Sequence, residues 1–207
     1  MEDEPIGRWL EELASAAPAP GGGGVAALEV ALGAALLEMA CNLTIGRPAY
    51  AEHEATMLAA RAAARTLRTD AMALVEEDAT AFRAVIDAYK LPRGDEAEAT
   101  RRSERIELAL AGAADVPRRT ALAAAEILTL AESIVPRANP NVVSDVAAAA
   151  AAAGAALSTA LVNIEVNRGS IGDAELKASL GEAIAEAERQ CARAEAVVTA
   201  VRMRTAG

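Results

Sequence analysis

One carboxylate in the sequence, Asp78, has a setting suited to proton transfer. Steps of three and four residues place it between Leu74 and Ala81 on an otherwise apolar flank of a long predicted helix. Burial on such a flank raises the pKa of a carboxyl group toward the range useful for general acid–base catalysis. An ion pair with an arginine is the alternative explanation for a carboxylate in these surroundings.

Three polar residues further along the chain are candidates for ligand binding. Asp145 follows Ser144 at the start of a predicted helix, although an acidic residue beside a cap is also an ordinary way to begin a helix. Asn163 and Asn167 lie one turn apart on an apolar helix end. Buried amides need hydrogen-bond partners, and a heterocyclic ligand could supply them. The pattern alone leaves a structural and a binding role open for all three.

A run of four glycines, Gly21, Gly22, Gly23 and Gly24, follows Pro20 and precedes an almost uncharged helix. Glycine permits positive φ and the close approach of a ligand to the backbone, and a helix N-terminus offers free N–H groups to an anion. We interpret the run as a binding loop. A tight interhelical turn is the alternative, although one glycine normally suffices for that. The sequence lacks GxxxxGK[ST], a preceding strand and a following lysine, which excludes a nucleotide phosphate loop.

Metal-dependent and serine-nucleophile chemistry are not indicated. The single histidine, His53, stands between two glutamates near the start of a helix and is interpreted as a solvated surface residue. Cys41 and Cys191 lack metal-ligand spacing and are expected to be buried free thiols of a reducing compartment. We therefore expect no bound metal and no resident cofactor.

The composition predicts an all-α protein. Apolar residues make up 53 % of the 207-residue chain and aromatic residues only 2 %. Alanine fills the difference and favours helix, and no segment alternates as a strand would. We expect residues 1–207 to form one helical domain. The formal charge of −10 argues against nucleic-acid binding, and the acidic N-terminus, unlike a secretory signal, predicts a cytoplasmic location.

Apolar periodicity and breaker residues predict long helices that would hold these candidates. On the longest, Val75, Ala79, Phe82, Ile86 and Tyr89 form the expected apolar stripe. A bundle of six to seven helices is expected, with a new helix starting at Pro117; the approximate ranges are 5–16, 24–44, 48–91, 96–114, 117–134, 142–167 and 173–203.

The helix over Val25–Leu43 is apolar almost all round. Its length of about 20 residues could span a membrane, but Glu29, Glu38 and the lack of basic flanks favour a buried central helix. Gly33 and Gly154 interrupt the two most apolar helices, which predicts close backbone contacts there. One subunit has little apolar surface to cover such a helix, so we expect a dimer.

Several segments together resemble one enzyme family. The stretch "WLEELASAAPAPGGGGVAAL…GAALLEMACNLTIGRPAY" resembles the N-terminal signature of the cyclodeaminase/cyclohydrolase family, and the similarity continues through "LVEEDATAFRAVIDAYKLPR", "AADVPRRTALAAAEIL" and "NPNVVSDVAAAAAAAGAALSTALVNIEVN". It covers nearly the whole chain from about Arg8 onward. The glycine run together with the "SD" and "VNIEVN" segments carries the specificity.

The resemblance implies an all-helical homodimer that takes a tetrahydrofolate derivative as substrate. The family closes 5-formiminotetrahydrofolate with loss of ammonia, or hydrolyses the methenyl form to 10-formyltetrahydrofolate. On this basis Gly21–Gly24 would cradle a polar part of the folate and Arg47 would pair with a folate carboxylate. Asp145 would accept hydrogen bonds from the pterin, and Asp78 would transfer the proton. Pro20, Asn163 and Asn167 complete the expected binding residues.

The chain departs from the family at two positions. Gly24 stands where the family usually has serine, and Arg47 where it usually has lysine. Arginine keeps the positive charge but cannot exchange a proton near neutral pH. A folate-binding helical dimer with altered or lost catalysis is therefore the alternative to an active enzyme.

Overall fold

A computed structural model describes residues 5–205, which form a helical bundle without a strand. The prediction of an all-α fold is confirmed. The α-helices, six in the described range, are α1 Ile6–Leu13, α2 Gly22–Asn42, α3 Glu54–Tyr89, α4 Glu96–Ile134, α5 Val143–Ser170 and α6 Ala174–Thr205. Short 3-10 turns at Pro48–His53 and Pro140–Val142 lead into α3 and α5.

Helix α2 lies at the centre of the bundle, where it contacts α3, α4 and α5. It runs antiparallel to α5, since the start of α2 meets the second half of α5 and its middle meets Ala149. A methyl group at Gly33 would lie 3.2 Å from the Ala149 carbonyl oxygen, so glycine permits the close contact. Gly154 instead faces α6, because a methyl group there would lie 3.1 Å from Cβ of Ala194.

Two segments, Gly22–Asn42 and Pro140–Ser170, are long and apolar enough to cross a membrane by composition alone. Most of the apolar window of α2 is buried inside the bundle. The apolar side chains of α2 thus form part of the protein core, as the sequence predicted for a central helix.

The predicted helix break at Pro117 is wrong, because α4 continues through it. Proline has no N–H to donate to the carbonyl one turn earlier, which normally leaves that oxygen unsatisfied. Here the Asn167 side chain from α5 donates to the Ala113 carbonyl oxygen at 3.0 Å. The donor that the proline removes is thus supplied by a neighbouring helix.

This replacement of a backbone donor makes Asn167 and Pro117 energetically coupled. Asn167→Ala should lower the free energy of unfolding by about 1–3 kcal/mol, since it leaves the Ala113 oxygen unsatisfied. In a Pro117→Ala background, the restored backbone N–H should make the same substitution much less costly. Chemical denaturation of the wild type, the two single variants and the double variant gives the coupling free energy between the two residues. Equal costs in both backgrounds would show that the amide does not substitute for the proline N–H.

Candidate functional site

A cavity of about 220 Å³ opens at the N-terminal end of α2. Four parts of the chain enclose it: the loop before α2, the middle of α3, the middle of α4 and the C-terminal part of α5. Its lining residues are Pro18, Ala19, Gly21, Gly22, Gly23, Asp78, Ala81, Phe82, Ala113, Pro117, Asn163, Val166 and Asn167. Residues from distant parts of the sequence thus meet at one end of the bundle.

A small apolar cluster fixes the walls of this cavity. Trp9 of α1 packs with Ala27 of α2, Leu74 and Val75 of α3, and Val116 of α4. Trp9 is only 4 % exposed, although other apolar residues of its short helix face outward. The indole therefore anchors α1 against the three helices that carry the cavity and holds the intervening proline-rich loop near α3.

Asp78 lies in the cavity and is bound to the start of α2. The Gly24 N–H donates to Oδ2 of Asp78 at 3.0 Å. Burial raises the pKa of the Asp78 carboxyl above its ordinary value, and the hydrogen bond from Gly24 opposes that rise. Within residues 5–205 this carboxylate has no arginine partner; the neighbouring Glu77 instead pairs with Arg119. The ion-pair alternative for Asp78 therefore does not apply.

The glycine run allows a neighbouring side chain to approach the backbone closely, and its glycines do not adopt positive φ angles. Among the described residues the positive-φ glycine is Gly46, at φ 75°, outside the run. Helix α2 begins at Gly22, two residues before the predicted start. A methyl group at Gly23 would overlap Oδ1 of Asp78 and lie 2.5 Å from its Cγ, so the carboxylate requires glycine there. At Gly24 the nearest atoms would be 3.8 Å away, an ordinary contact.

The two predicted asparagines both line the cavity but differ in their bonding. The amide nitrogen of Asn167 is used by the Ala113 carbonyl oxygen, which leaves its side-chain oxygen as an acceptor. The Asn163 side chain makes no hydrogen bond within the described part of the chain and can donate and accept. Pro20 does not line the cavity, although a methyl group at Gly24 would lie 3.8 Å from its Cβ.

Phe82, which the sequence pattern placed on the apolar stripe of the long helix, lines the cavity. It is 45 % exposed, and Tyr89 one stripe position later is 50 % exposed, whereas Val75 and Ala79 are buried as predicted. The apolar stripe of α3 therefore turns from core to surface beyond the cavity. An exposed aromatic ring beside a partly buried carboxylate suits a planar ligand, because aromatic rings stack on one another.

Arg47 and Asp145, to which the resemblance gave contacts with the folate, are not among the residues that line this cavity. Arg47 is an exposed residue beyond the C-terminal end of α2. Asp145 lies in the first turn of α5. At 1.5 Å per residue, α2 from Gly22 to Asn42 spans about 30 Å and α5 from Asp145 to Asn163 about 27 Å, so both residues lie far from the cavity end. Within one chain the predicted site is thus divided between the two ends of the bundle.

From the sequence we expect no bound metal, because it shows no cluster of possible ligand side chains. No group of three or more His, Cys, Asp or Glu residues in the described range could hold a metal ion. His53 is near Glu52, at 3.5 Å between Nε2 and Oε1. Cys41 is buried as expected, and Cys191 is only half-buried. Burial raises the pKa of the Cys41 thiol to about 11, which leaves it unreactive near neutral pH.

Comparison with known proteins shows which family shares this architecture. The sequence profile of the formiminotransferase-cyclodeaminase family matches residues 5–186. A methenyltetrahydrofolate cyclohydrolase of Methylorubrum extorquens is 39 % identical over 195 residues, which cover 90 % of this chain and 94 % of that protein. The chain belongs to the formiminotransferase-cyclodeaminase family. The resemblance predicted from the sequence is confirmed.

Two other members of the formiminotransferase-cyclodeaminase family show how far the similarity extends. The mouse formimidoyltransferase-cyclodeaminase is 29 % identical over 83 % of this chain, and that match spans only 32 % of the mouse protein. A crystal structure of formiminotetrahydrofolate cyclodeaminase from Thermotoga maritima matches with a TM-score of 0.88 and 26 % identity, covering 100 % of this chain and 99 % of that one. Most of the chain is thus shared with proteins named for both reactions, and the Thermotoga maritima structure matches the whole bundle.

Proposed function

We propose that this protein is a folate one-carbon enzyme that hydrolyses 5,10-methenyltetrahydrofolate to 10-formyltetrahydrofolate. The observation that carries the proposal is Asp78, a carboxylate that has no ionic partner among residues 5–205. It is held beside the helix start in a cavity that Phe82 and Asn163 also line. The relative named for this reaction matches along nearly its whole length. A formiminotetrahydrofolate cyclodeaminase activity is the second candidate, supported by the match to the Thermotoga maritima structure.

Hydrolysis requires water to add to the carbon between N5 and N10 and a proton to reach N5 when the C–N5 bond breaks. Asp78 can accept the proton of the attacking water as a carboxylate and return it to N5 as a carboxylic acid. Its raised pKa suits this exchange, because a general base is most effective when its pKa approaches the working pH. In the cyclodeaminase reaction the same group would protonate the departing ammonia.

The free groups around Asp78 give the substrate its contacts in this proposal. The N–H groups of Gly22 and Gly23 precede the first i→i−4 bond of α2, which Val25 donates to Gly21, so they have no partner within the helix. Both residues line the cavity. Asn163 offers both a donor and an acceptor to a pterin edge. Phe82 offers a face for ring stacking.

Two assays separate the candidate functions. Loss of the methenyl absorbance band on incubation with 5,10-methenyltetrahydrofolate, above the uncatalysed rate, supports the hydrolase. Its appearance from 5-formiminotetrahydrofolate supports the cyclodeaminase. A folate that raises the melting temperature without turnover of either substrate would favour the non-catalytic binding protein, because a ligand that binds only the native state stabilises it. If the protein turns over neither substrate and no folate raises its melting temperature, both the enzymatic and the binding function are contradicted.

We also propose that the protein is a homodimer joined through the outward face of α2. Leu32 is 54 % exposed, Met39 37 % and Leu43 38 %. Leu58 at the start of α3 is also 41 % exposed. A row of large apolar side chains on the surface of one helix is a common feature of protein–protein interfaces, and a second copy of the chain offers the same row.

A charge placed in this row should dissociate the dimer. Leu32→Glu should shift the sedimenting species from dimer to monomer, since two carboxylates would be buried at the interface without partners. The matched control is Leu108→Glu, because Leu108 is 65 % exposed but lies on α4. The control protein should remain dimeric. Dimerisation that survives Leu32→Glu would exclude this face.

A further inference from the structure

A groove between α3 and α4 continues from the Asp78 cavity toward the C-terminal end of α3. It has a volume of about 420 Å³ and is lined by Ala81, Ala84, Asp87, Ala88, Leu91, Arg105, Leu108, Ala109 and Gly112. Ala81 lines both the groove and the cavity, and Gly112 of the groove is followed directly by Ala113 of the cavity. The two spaces therefore adjoin along both helices.

The packing of α3 on α4 decides how far the groove reaches from Asp78. Arg102 donates to the Tyr89 carbonyl oxygen at 3.1 Å, so the start of α4 lies beside the end of α3. Since the middle parts of both helices meet at the cavity, the two helices run antiparallel, and Arg105 lies opposite the last turns of α3. Ala88 in those turns is about 15 Å from Asp78 along the helix, at 1.5 Å per residue over ten residues.

Gly112 leaves open space where the groove joins the cavity. A methyl group at this position would meet no atom within 4 Å beyond its own helix backbone and chain neighbours. Glycine inside a helix lowers helix stability relative to alanine, and at Gly33 a close backbone neighbour explains its use. No such neighbour among residues 5–205 explains Gly112. The gap lies where a bound molecule would pass from the cavity into the groove.

Arg105 supplies a positive charge at the far end of the groove. Its guanidinium has no ion pair or hydrogen bond within the described part of the chain, so it is available to an anion. The other charged residue of the lining, Asp87, pairs with Lys90 at 3.0 Å and does not occupy the arginine. The walls between this charge and the cavity are apolar, and Leu108 among them is exposed.

We propose that this groove binds the aminobenzoyl-glutamate tail of the folate, with the benzene ring on its apolar walls and a glutamate carboxylate at Arg105. This rests on the proposed function, because the pterin end of the same molecule would occupy the cavity beside Asp78. From the reacting carbon, the tail extends about 10 Å through a benzene ring and an amide to the first carboxylate, by ordinary bond lengths. With a hydrogen bond of about 3 Å at each end, this length matches the roughly 15 Å between Asp78 and Ala88.

The cavity alone offers neither the space nor the charge that the tail requires. Its volume is about 220 Å³, whereas pockets for drug-sized ligands usually have about 300–1,000 Å³. The groove brings the joint space into that range. No lysine or arginine of the described residues lines the cavity, although the tail carries carboxylates. Arg105 provides the missing cation, and arginine binds a carboxylate through two parallel hydrogen bonds.

Two substrates test the carboxylate contact at Arg105. 5,10-Methenyltetrahydrofolate carries the glutamate, whereas 5,10-methenyltetrahydropteroate keeps the pterin and the benzene ring but lacks the glutamate. Arg105→Ala should lower kcat/KM for the folate by about 10–100-fold, mainly through KM, because a hydrogen-bonded charge pair is lost. The pteroate should be unaffected, and Arg105→Lys should recover part of the loss, since it keeps the charge without the planar fork. Equal losses on both substrates, or no loss, would exclude the tail and leave the groove as a surface for a protein partner.

Arg83→Ala provides the matched control. Arg83 is an exposed arginine of α3 that lines neither space, and its removal changes the net charge equally, so kcat/KM for both substrates should stay at the wild-type value. A loss on the folate as large as that of Arg105→Ala would show a general charge effect and would contradict the contact.

Gly112→Leu tests the path of the benzene ring. Its side chain would fill the gap between the cavity and the groove, so it should lower kcat/KM for both substrates by about tenfold or more through steric conflict with the ring. A Gly112→Leu protein with wild-type kcat/KM on both substrates would contradict this path.

Binding without turnover separates the groove from the catalytic proposal. 5-Formyltetrahydrofolate, a stable folate that neither proposed reaction uses, should raise the melting temperature of the wild type more than that of Arg105→Ala. 5-Formyltetrahydropteroate should raise both equally. If this pattern holds while neither folate substrate is turned over, the groove proposal stands and the proposed function fails. Turnover with equal kcat/KM for folate and pteroate would instead support the proposed function and overturn the groove proposal.

Discussion

Asp78→Asn is expected to lower kcat by about 10²–10⁴-fold while the protein folds normally. General acid–base catalysis contributes effects of this size. The amide keeps the size of the side chain, and its oxygen can still accept the Gly24 N–H that binds Oδ2 in the native protein. Asp70→Asn, which changes an exposed carboxylate of the same helix, should leave turnover unchanged. Full kcat of Asp78→Asn on both folate substrates would make Asp78 structural.

The same substitution should change how stability depends on pH. Burial raises the pKa of Asp78 in the folded protein, so the folded state holds this proton to a higher pH than the unfolded chain does. Its ionisation therefore costs folding free energy as pH rises above the ordinary carboxyl pKa of about 3.9. The unfolding free energy of Asp78→Asn relative to wild type should increase from pH 4 to pH 8. Denaturant titrations that show a decrease would contradict the burial argument.

The local sequence pattern identified the candidate residues, but it did not predict which of them come together in the folded protein. Asp78 was identified because a period of 3.6 residues leaves it alone on an apolar flank. Asn163 and Asn167 were identified because amides on an apolar helix end need partners. Their meeting with the glycines depends on how α2, α3 and α5 pack, and periodicity of one helix does not specify that. The resemblance to a family supplied this part of the prediction.

The errors arose where one helix compensates for a feature of another. Pro117 predicts a helix end when its own chain is considered alone, yet Asn167 supplies the missing donor from α5. Phe82 fits an apolar stripe, but that stripe continues past the neighbouring helices and becomes exposed. Tertiary contacts decide each of these cases.

The glycine run shows the same limit at a single residue. The sequence predicts that a ligand or a tight turn requires these glycines. In the structure the atom that requires one of them belongs to the protein, since a methyl group at Gly23 would overlap the Asp78 carboxylate. The adjoining Gly24 has space around it, and its N–H rather than its missing side chain contacts Asp78. Adjacent glycines therefore have different reasons for being glycine.

This difference predicts opposite results for Gly23→Ala and Gly24→Ala. At position 23 the methyl group would occupy the space of Oδ1, so the Asp78 side chain must rotate and lose its hydrogen bond from Gly24. A displacement of about 1 Å at a catalytic group can cost 10²-fold in rate, and we expect kcat to fall by about 100-fold or more. The melting temperature should change little in comparison, because a short side chain at a cavity can move aside.

At position 24 the added methyl group would meet Pro20, Trp9 and Val75 at 3.8 Å, which is ordinary contact. Alanine in the first turn of α2 should raise the free energy of unfolding by about 0.5–1 kcal/mol, since it restricts the unfolded chain. Turnover should stay within a few-fold of wild type. The Cβ of Gly24→Ser would meet the same atoms at the same distances, so we expect the family's usual serine to be tolerated as well. Equal losses of kcat in Gly23→Ala and Gly24→Ala would show that the whole run contacts the substrate and that Asp78 is not what makes Gly23 necessary.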